Sequence, residues 1–178
     1  MPTIHLKGFH GILNSTTNVI LSEMENGLAF DDAVKKAQAL GIAETDATHD
    51  IDGWDAAVKT AALVNVLMCS NENDTPIRLD EIAREGIRDI TMQAARNARR
   101  DGWPFKLVCR AKREGDKVVA SVALKKMLVS TPMGGISGTS SYICFNTDVF
   151  PVLSITEQDP GLHATAYGML ADFVRAVE

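Results

Sequence analysis

The spacing of apolar positions along the chain predicts a mixture of helices and strands. Apolar side chains at helical spacing predict five helices, over residues 15–26, 30–41, 55–70, 91–100 and 165–177. Asn14 or Ser15 can cap the first of these helices and Thr91 the fourth, because short polar side chains accept hydrogen bonds from the first backbone N–H groups of a helix.

Alternating and β-branched residues predict strands at residues 3–7, 85–90, 105–112, 117–126, 142–146 and 152–156. We expect a glycine-flanked loop after the first strand. The third and fourth strands are joined by Glu114-Gly115-Asp116, which predicts a β-hairpin. Together these elements indicate an α+β fold of mixed type, in which a predominantly antiparallel or mixed sheet is covered by helices in a single domain.

Composition narrows the class of protein. The chain has 178 residues, is 46% hydrophobic and carries a formal net charge of -5, with its basic residues scattered, so we expect no nucleic-acid partner. The longest apolar run, residues 61–69, is too short for a membrane span. The three cysteines, Cys69, Cys109 and Cys144, lie in apolar stretches without metal-binding spacing, which is typical of reduced thiols in a cytoplasmic protein.

The densest polar signal lies between the second and third predicted helices. Four acidic residues occur within residues 43–53, namely Glu44, Asp46, Asp50 and Asp52. Asp55 and Lys59 follow one helical turn apart on the same face. Spacing alone favours an ordinary surface ion pair beside a solvated acidic loop, since such pairs are common and weak.

Other chemistries fit the sequence poorly. In a calcium loop with Gly53 at the sixth position, Lys59 would occupy the twelfth, where a bidentate glutamate is required. The four histidines lack zinc-ligand spacing, so no metal is predicted. The glycines at residues 134–138 precede a strand, whereas a dinucleotide-binding glycine turn follows a strand and opens a helix, so we interpret them as a turn.

Three separated motifs resemble the homoserine dehydrogenase family. Residues 11–21 read GILNSTTNVIL and are similar to the segment that opens the family's catalytic domain. The acidic loop and the helix with Asp55 and Lys59 resemble its second signature. Residues 160–166, PGLHATA, followed by Asp172, resemble its closing segment, although the usual GAG turn is absent. This agreement in order reverses the interpretation of the Asp55 and Lys59 pair, which we now predict to be functional.

The resemblance implies an activity and roles for residues. Homoserine dehydrogenases reduce aspartate 4-semialdehyde to homoserine with NAD(P)H, a step in the biosynthesis of threonine, methionine and isoleucine. By resemblance, Lys59 delivers the proton and Asp55 orients Lys59 or a water molecule. Glu44 and Asp50 match positions that hold the substrate.

Further site residues are carried over from the first and last motifs. Ser15 and Thr16 lie at the family's substrate-contacting turn, although a helix cap is the alternative for Thr16. Gly161 and Thr165 in the closing segment are weaker candidates for contact with NAD or NADP. We expect no membrane partner.

The resemblance also predicts partners. Family members place a nucleotide-binding Rossmann domain ahead of the segment that starts here near Ile4, and this sequence has none, so we expect that domain to act in cis or in trans. Homodimerisation through sheet strands is expected as well. The last helix is apolar at Ala166, Met169, Leu170 and Val174, a face expected to meet the nucleotide-binding domain. The alternative is a non-catalytic module for amino-acid binding or dimerisation.

Overall fold

The structure of the protein, a computed structural model, describes residues 4–69 and 74–177. The strands are β1 (Leu6–Ile12), β2 (Ala83–Arg84), β3 (Phe105–Glu114), β4 (Lys117–Lys126), β5 (Ser141–Thr147) and β6 (Leu153–Glu157). The helices are α1 (Ser15–Glu25), α2 (Phe30–Ala39), α3 (Thr48–Ile51), α4 (Trp54–Leu67), α5 (Met92–Arg100), α6 (Pro132–Gly135) and α7 (Leu162–Val177), with one 3-10 turn at Leu79–Glu81.

One six-stranded sheet organises these elements, in the order β2-β4-β3-β1-β5-β6. All neighbouring strands are antiparallel except β2 and β4, which pair in parallel. The expected α+β fold with a predominantly antiparallel, mixed sheet is therefore confirmed, as is the hairpin of β3 and β4. No helix within the described residues is long and apolar enough to cross a membrane.

The first strand departs from the sequence expectation. Its predicted end at residue 7 was wrong, because β1 continues through Gly8 and Gly11, where a loop was expected. A Cβ atom on Gly8 would crowd the carbonyl oxygen of Ala111 in β3, and one on Gly11 would overlap the carbonyl oxygen of Tyr142 in β5. These glycines let β1 lie close to both neighbours in the middle of the sheet.

The strand predicted at residues 85–90 was also wrong. The strand is the short β2, one step earlier, and the following residues form a loop that packs on the acidic segment. The Ile87 N–H donates to the Ile51 carbonyl at 2.8 Å, and Gly86 lies against the same backbone. Ile87 is therefore buried in the core beside α3 and does not take part in a strand ladder.

The two faces of the sheet carry separate apolar clusters. Leu107 and Cys109 of β3 lie in the larger cluster with Phe9 of β1 and the buried side chains of α1, whereas Val108 belongs to a smaller cluster with Ile12. Because successive side chains of a strand point to opposite faces, this division follows the alternation of β3 directly. The larger cluster holds α1 and α4 against the sheet.

A buried lysine fixes a loop beside these helices. Lys106 of β3 is 0% exposed, and its Nζ donates to the Ile136 carbonyl at 2.5 Å and to Asn18 Oδ1 at 3.3 Å. Asn18 of α1 donates in turn to the Gly138 carbonyl at 2.9 Å. Burial lowers the pKa of Lys106. Residues 136–140 are thus held to α1 and β3 by groups that would be costly to leave unpaired.

Alanine at position 11 should test the close approach of β1. We expect Gly11→Ala to lower the free energy of unfolding by about 1–3 kcal/mol, because the added methyl group forces β1 and β5 apart. Urea denaturation measures the change. Gly168→Ala is the matched control, since a Cβ there meets nothing within 4 Å and alanine favours the helix by about 0.5–1 kcal/mol. Equal effects of the two substitutions would contradict the packing argument.

Candidate functional site

A cleft of about 1270 Å³ opens where β1 passes into α1. Its walls come from the start of α1, the loop between α2 and α4, one face of α4 and the segment that enters α7. The cleft is lined by seven of the eight residues predicted from the sequence: Ser15, Thr16, Glu44, Asp50, Asp55, Lys59 and Gly161. The side chain of the eighth, Thr165, lies outside the described residues.

Lys59 and Asp55 form an ion pair on the cleft side of α4. The Lys59 Nζ lies 2.8 Å from Asp55 Oδ2, with the side chains 50% and 34% exposed. The helix begins after Gly53, whose φ of 78° favours glycine. Both residues therefore face solvent within the cleft, where the ammonium group is accessible to a small molecule.

Asn14 joins this pair to the acidic loop. It is the N-cap of α1 and is 4% exposed. Its side-chain amide donates to Asp50 Oδ1 at 2.6 Å and to Asp55 Oδ2 at 2.7 Å. A continuous series of polar contacts thus runs from Lys59 through Asp55 and Asn14 to Asp50.

Asp50 lies in an unusual electrostatic environment. Burial raises the pKa of its carboxyl group, and the negative charge of Asp55 acts in the same direction. Hydrogen bonds from Asn14 and Thr16 and the attraction of Lys59 oppose that shift. The carboxylate is therefore held in the cleft at a cost that a cationic ligand would offset.

The fourth acidic residue of the loop serves the fold. Asp52 is not part of the cleft wall, and its Oδ1 lies 2.9 Å from Arg88. Arg84 donates to the Asp52 carbonyl and stacks over the Trp54 ring at 3.6 Å. These two arginines attach the acidic loop to β2 and to the segment that follows it, which fixes the entry into α4.

The hydroxyl groups at the start of α1 reach neighbouring backbone. Ser15 Oγ donates to the Thr139 carbonyl at 3.3 Å, and Thr16 Oγ1 donates to the Ile42 carbonyl at 3.2 Å. The helix cap considered as the alternative for Thr16 was wrong, because Asn14 occupies that position. Both residues border the cleft beside the acidic loop.

The opposite wall is largely apolar, and apart from Gly161 and Thr165 it was not assigned to the site from the sequence. It consists of the segment around Gly161 and the first turns of α7, with Leu162, Ala166 and Met169. Ser140 and Asp159 hold this segment, since the Ser140 hydroxyl donates to Asp159 Oδ1 at 3.2 Å and accepts from the Asp159 N–H at 3.0 Å. The helical period alone could not show which face of α7 borders a cleft.

The glycine cluster takes no part in the cleft. The turn expected at residues 134–138 begins inside the short helix α6, and a Cβ on Gly134 would overlap the Leu128 carbonyl. Its backbone is therefore packed and does not form an open cradle for a phosphate. Within residues 4–69 and 74–177, no three His, Cys, Asp or Glu side chains are grouped so that they could hold a metal ion.

The fold and the cleft define an α+β domain that presents one lysine and several carboxylates on one wall and an apolar surface on the other. The family model described as homoserine dehydrogenase matches residues 2–174. The chain belongs to the homoserine dehydrogenase family.

Named relatives agree with this assignment. The NAD(+)-dependent homoserine dehydrogenase of Pseudomonas canavaninivorans is 33% identical over 95% of this chain, and the homoserine dehydrogenase of Methanocaldococcus jannaschii is 35% identical over 92%. The solved homoserine dehydrogenase of Thiobacillus denitrificans is 30% identical over 97% of this chain, with a TM-score of 0.83. The chain spans 47%, 46% and 39% of these proteins, respectively.

Two carboxyl groups of the cleft should have pKa values shifted in opposite directions from the ordinary value. Burial raises the pKa of Asp50, whereas hydrogen bonds from Thr48 lower that of the exposed Asp46, both from an ordinary value of 3.8. Carbon-13 NMR of the carboxyl groups measures both. Because the folded state holds the Asp50 proton more tightly than the unfolded state, its contribution to stability falls as the pH rises from 3.8 through the raised pKa. An Asp50 that titrates below Asp46 would contradict the burial argument.

Proposed function

We propose that this chain is the catalytic, substrate-binding part of a homoserine dehydrogenase that reduces aspartate 4-semialdehyde to homoserine with NADH or NADPH. The observation that carries the proposal is the cleft itself. The second motif contributes four residues to the lining of this cleft, namely Lys59, Asp55, Asp50 and Glu44. A surface ion pair would need no such convergence.

The polar residues of the cleft match the charged groups of an amino-acid substrate. The α-ammonium group of the substrate needs anionic partners, and Asp50 and Glu44 supply them. Glu44 does so from an exposed position in the cleft. Ser15 and Thr16 lie beside them, where hydroxyl groups meet other polar atoms of the substrate. Loss of water around Asp50 strengthens its attraction for a bound ammonium group.

Lys59 is the proton donor in this proposal. When a reduced nicotinamide is bound, it supplies hydride to the aldehyde carbon, and negative charge develops on the aldehyde oxygen. The Lys59 ammonium, half exposed in the cleft, donates its proton to that oxygen. Asp55, 2.8 Å away, keeps the ammonium group directed along α4.

The residues present suit one side of a dinucleotide. Gly161 borders the cleft, and a Cβ there would meet nothing within 4 Å, so its backbone is open to a ligand. Leu162, Ala166 and Met169 offer an apolar surface for a nicotinamide ring. In this proposal Gly161 and Thr165 contact the cofactor, and a nucleotide-binding domain, in cis or in trans, binds the rest of it.

Uncovered apolar surfaces support partners of this kind. In α7, Tyr167, Leu170 and Phe173 are 74%, 60% and 65% exposed, which is unusual for side chains of this size. The chain spans less than half of the relatives described above. We propose that α7 meets the nucleotide-binding domain. The edge strand β6, with Leu153 and Ile155 exposed, is the proposed route to a homodimer.

A cytoplasmic location is part of the proposal. Cys109 and Cys144 are buried, Cys69 is partly buried, and all three are free thiols. Burial raises the pKa of Cys109 to about 11, which makes its thiol a poor nucleophile. Such cysteines act as small apolar side chains and suit a reducing compartment. The proposed place in threonine, methionine and isoleucine biosynthesis follows from the reaction.

Calorimetry should separate this function from the non-catalytic alternative. The chain should bind L-homoserine more tightly than L-2-aminobutyrate, which lacks the hydroxyl group that Lys59 would contact. It should bind NADPH weakly.

Asp50→Asn should weaken homoserine binding, because it removes an anionic partner of the ammonium group. A chain that binds neither amino acid would contradict the proposal. Binding without turnover after a nucleotide-binding domain is supplied would favour the non-catalytic module.

Removal of Lys59 should affect chemistry and not folding. In the chain supplied with its nucleotide-binding domain, we expect Lys59→Ala to lower kcat at least about 100-fold, measured by NADPH oxidation with aspartate 4-semialdehyde. The melting temperature should change little, because the side chain is 50% exposed. Lys35→Ala, which removes a surface ion pair on α2, is the control and should leave kcat unchanged.

Moving the lysine tests whether its position matters. Val58→Lys combined with Lys59→Ala restores the charge of α4 on a different face of the helix, so the activity should remain low. Near-normal turnover of Lys59→Ala, or rescue by the displaced lysine, would remove Lys59 from its proposed role.

A further inference from the structure

We propose that Asn14 is a positioning residue that holds Asp50 and Asp55 together as one binding unit; this role deepens the function proposed above and rests on it. Asn14 comes from α1, whereas the two carboxylates come from α3 and α4. One nitrogen, Asn14 Nδ2, donates to both, at 2.6 and 2.7 Å. Its two protons are therefore both used, one for each carboxylate.

The other end of the same amide is equally committed. Asn14 Oδ1 accepts from the Thr17 backbone N–H and from the Thr17 hydroxyl, each at 2.7 Å. A rotated amide would place its oxygen against two carboxylates and its N–H groups against the Thr17 backbone N–H. The orientation of Asn14 is thus fixed by its partners, and the residue is 4% exposed, so water cannot substitute for them.

Capping alone does not explain an asparagine here. Aspartate and serine cap helices about as well, because the cap needs only an oxygen that accepts from the N–H groups of the first turn. Only the amide supplies donors on its far side. Asp50 and Asp55 are like charges that repel each other, and a shared donor between them lowers that repulsion and sets their spacing.

The consequence for the site is geometric. Asp55 Oδ2 accepts from Asn14 and forms an ion pair with Lys59, so the position of Asp55 relative to the lysine depends on Asn14. Asp50, the proposed partner of the substrate ammonium, is set by the same amide. Asn14 thereby fixes the distance between Asp50, which holds one end of the substrate, and Asp55, which directs the proton donor Lys59 at the other end.

Two variants separate this role from helix capping. Asn14→Asp keeps the size and the capping oxygen but removes both donors, and Asn14→Ser keeps a capping oxygen without adding charge. In both, the NMR-measured pKa of Asp50 should rise further, and the affinity for L-homoserine in calorimetry should fall roughly 10- to 100-fold. Thr91→Ala, which removes the cap of α5 far from the cleft, should leave both quantities unchanged.

The unmodified chain provides a test that does not depend on the stability of any variant. The two side-chain amide proton resonances of Asn14 should shift with pH over the range in which Asp50 titrates. Amide resonances that ignore this titration, or Asn14→Ser protein with the original Asp50 pKa and homoserine affinity, would overturn the proposal. If the unmodified chain binds no homoserine while the amide resonances follow Asp50, the proposed function fails and the positioning geometry stands.

Discussion

The close approach of β1 to its two neighbours is the constraint on which the rest of the structure depends. Gly8 and Gly11 let this strand lie between β3 and β5, and its carboxyl end then delivers the chain to Asn14 at the first turn of α1. The buried face of α1 packs on the larger cluster, while its start lines the cleft. The position of the site is therefore a consequence of strand packing in the middle of the sheet.

The negative charge of the cleft lowers the stability of the folded domain, and the same charge favours the binding of a cation. Asp50 is partly buried next to another carboxylate, and both effects raise its pKa, so the folded domain holds this charge at a cost. One asparagine and one lysine offset part of that cost. The arginines that contact Asp52 attach the loop to the segment around β2. A ligand with an ammonium group would complete what the domain lacks.

The local sequence pattern predicted most of the helices and strands, and the family motifs identified most of the residues that line the cleft, but not the contacts between them. The hairpin of β3 and β4 and the helices α1, α2, α4 and α5 follow from periodicity and caps, and the family motifs led to the cleft residues. Gly8 and Gly11 led to a wrong prediction of a loop, because a glycine in a sequence is typical both of a loop and of a strand that lies very close to its neighbours in a sheet. The apolar residues of 85–90 suggested a strand because a buried residue in a loop, such as Ile87, leaves the same short pattern as one in a strand.

The role of Asn14 was out of reach for a related reason. As a capping residue it already had an adequate explanation in its own helix, and its second set of partners comes from residues that lie 36 and 41 positions away. A sequence shows that an asparagine can accept from the helix, but only the tertiary structure shows what its amide protons reach.

Helix α7 connects the chemistry of the cleft to the surface that remains uncovered. Ala166 and Met169 border the cleft, whereas Tyr167 and Phe173 are exposed elsewhere on the same helix. A domain that covers those aromatic side chains would also fix the apolar wall against the cleft and exclude water from the Lys59 and Asp55 pair. Because charge interactions strengthen as water is excluded, the partner that buries α7 would raise the catalytic value of groups it never touches. In the function proposed above, assembly and catalysis would thus be joined through one helix.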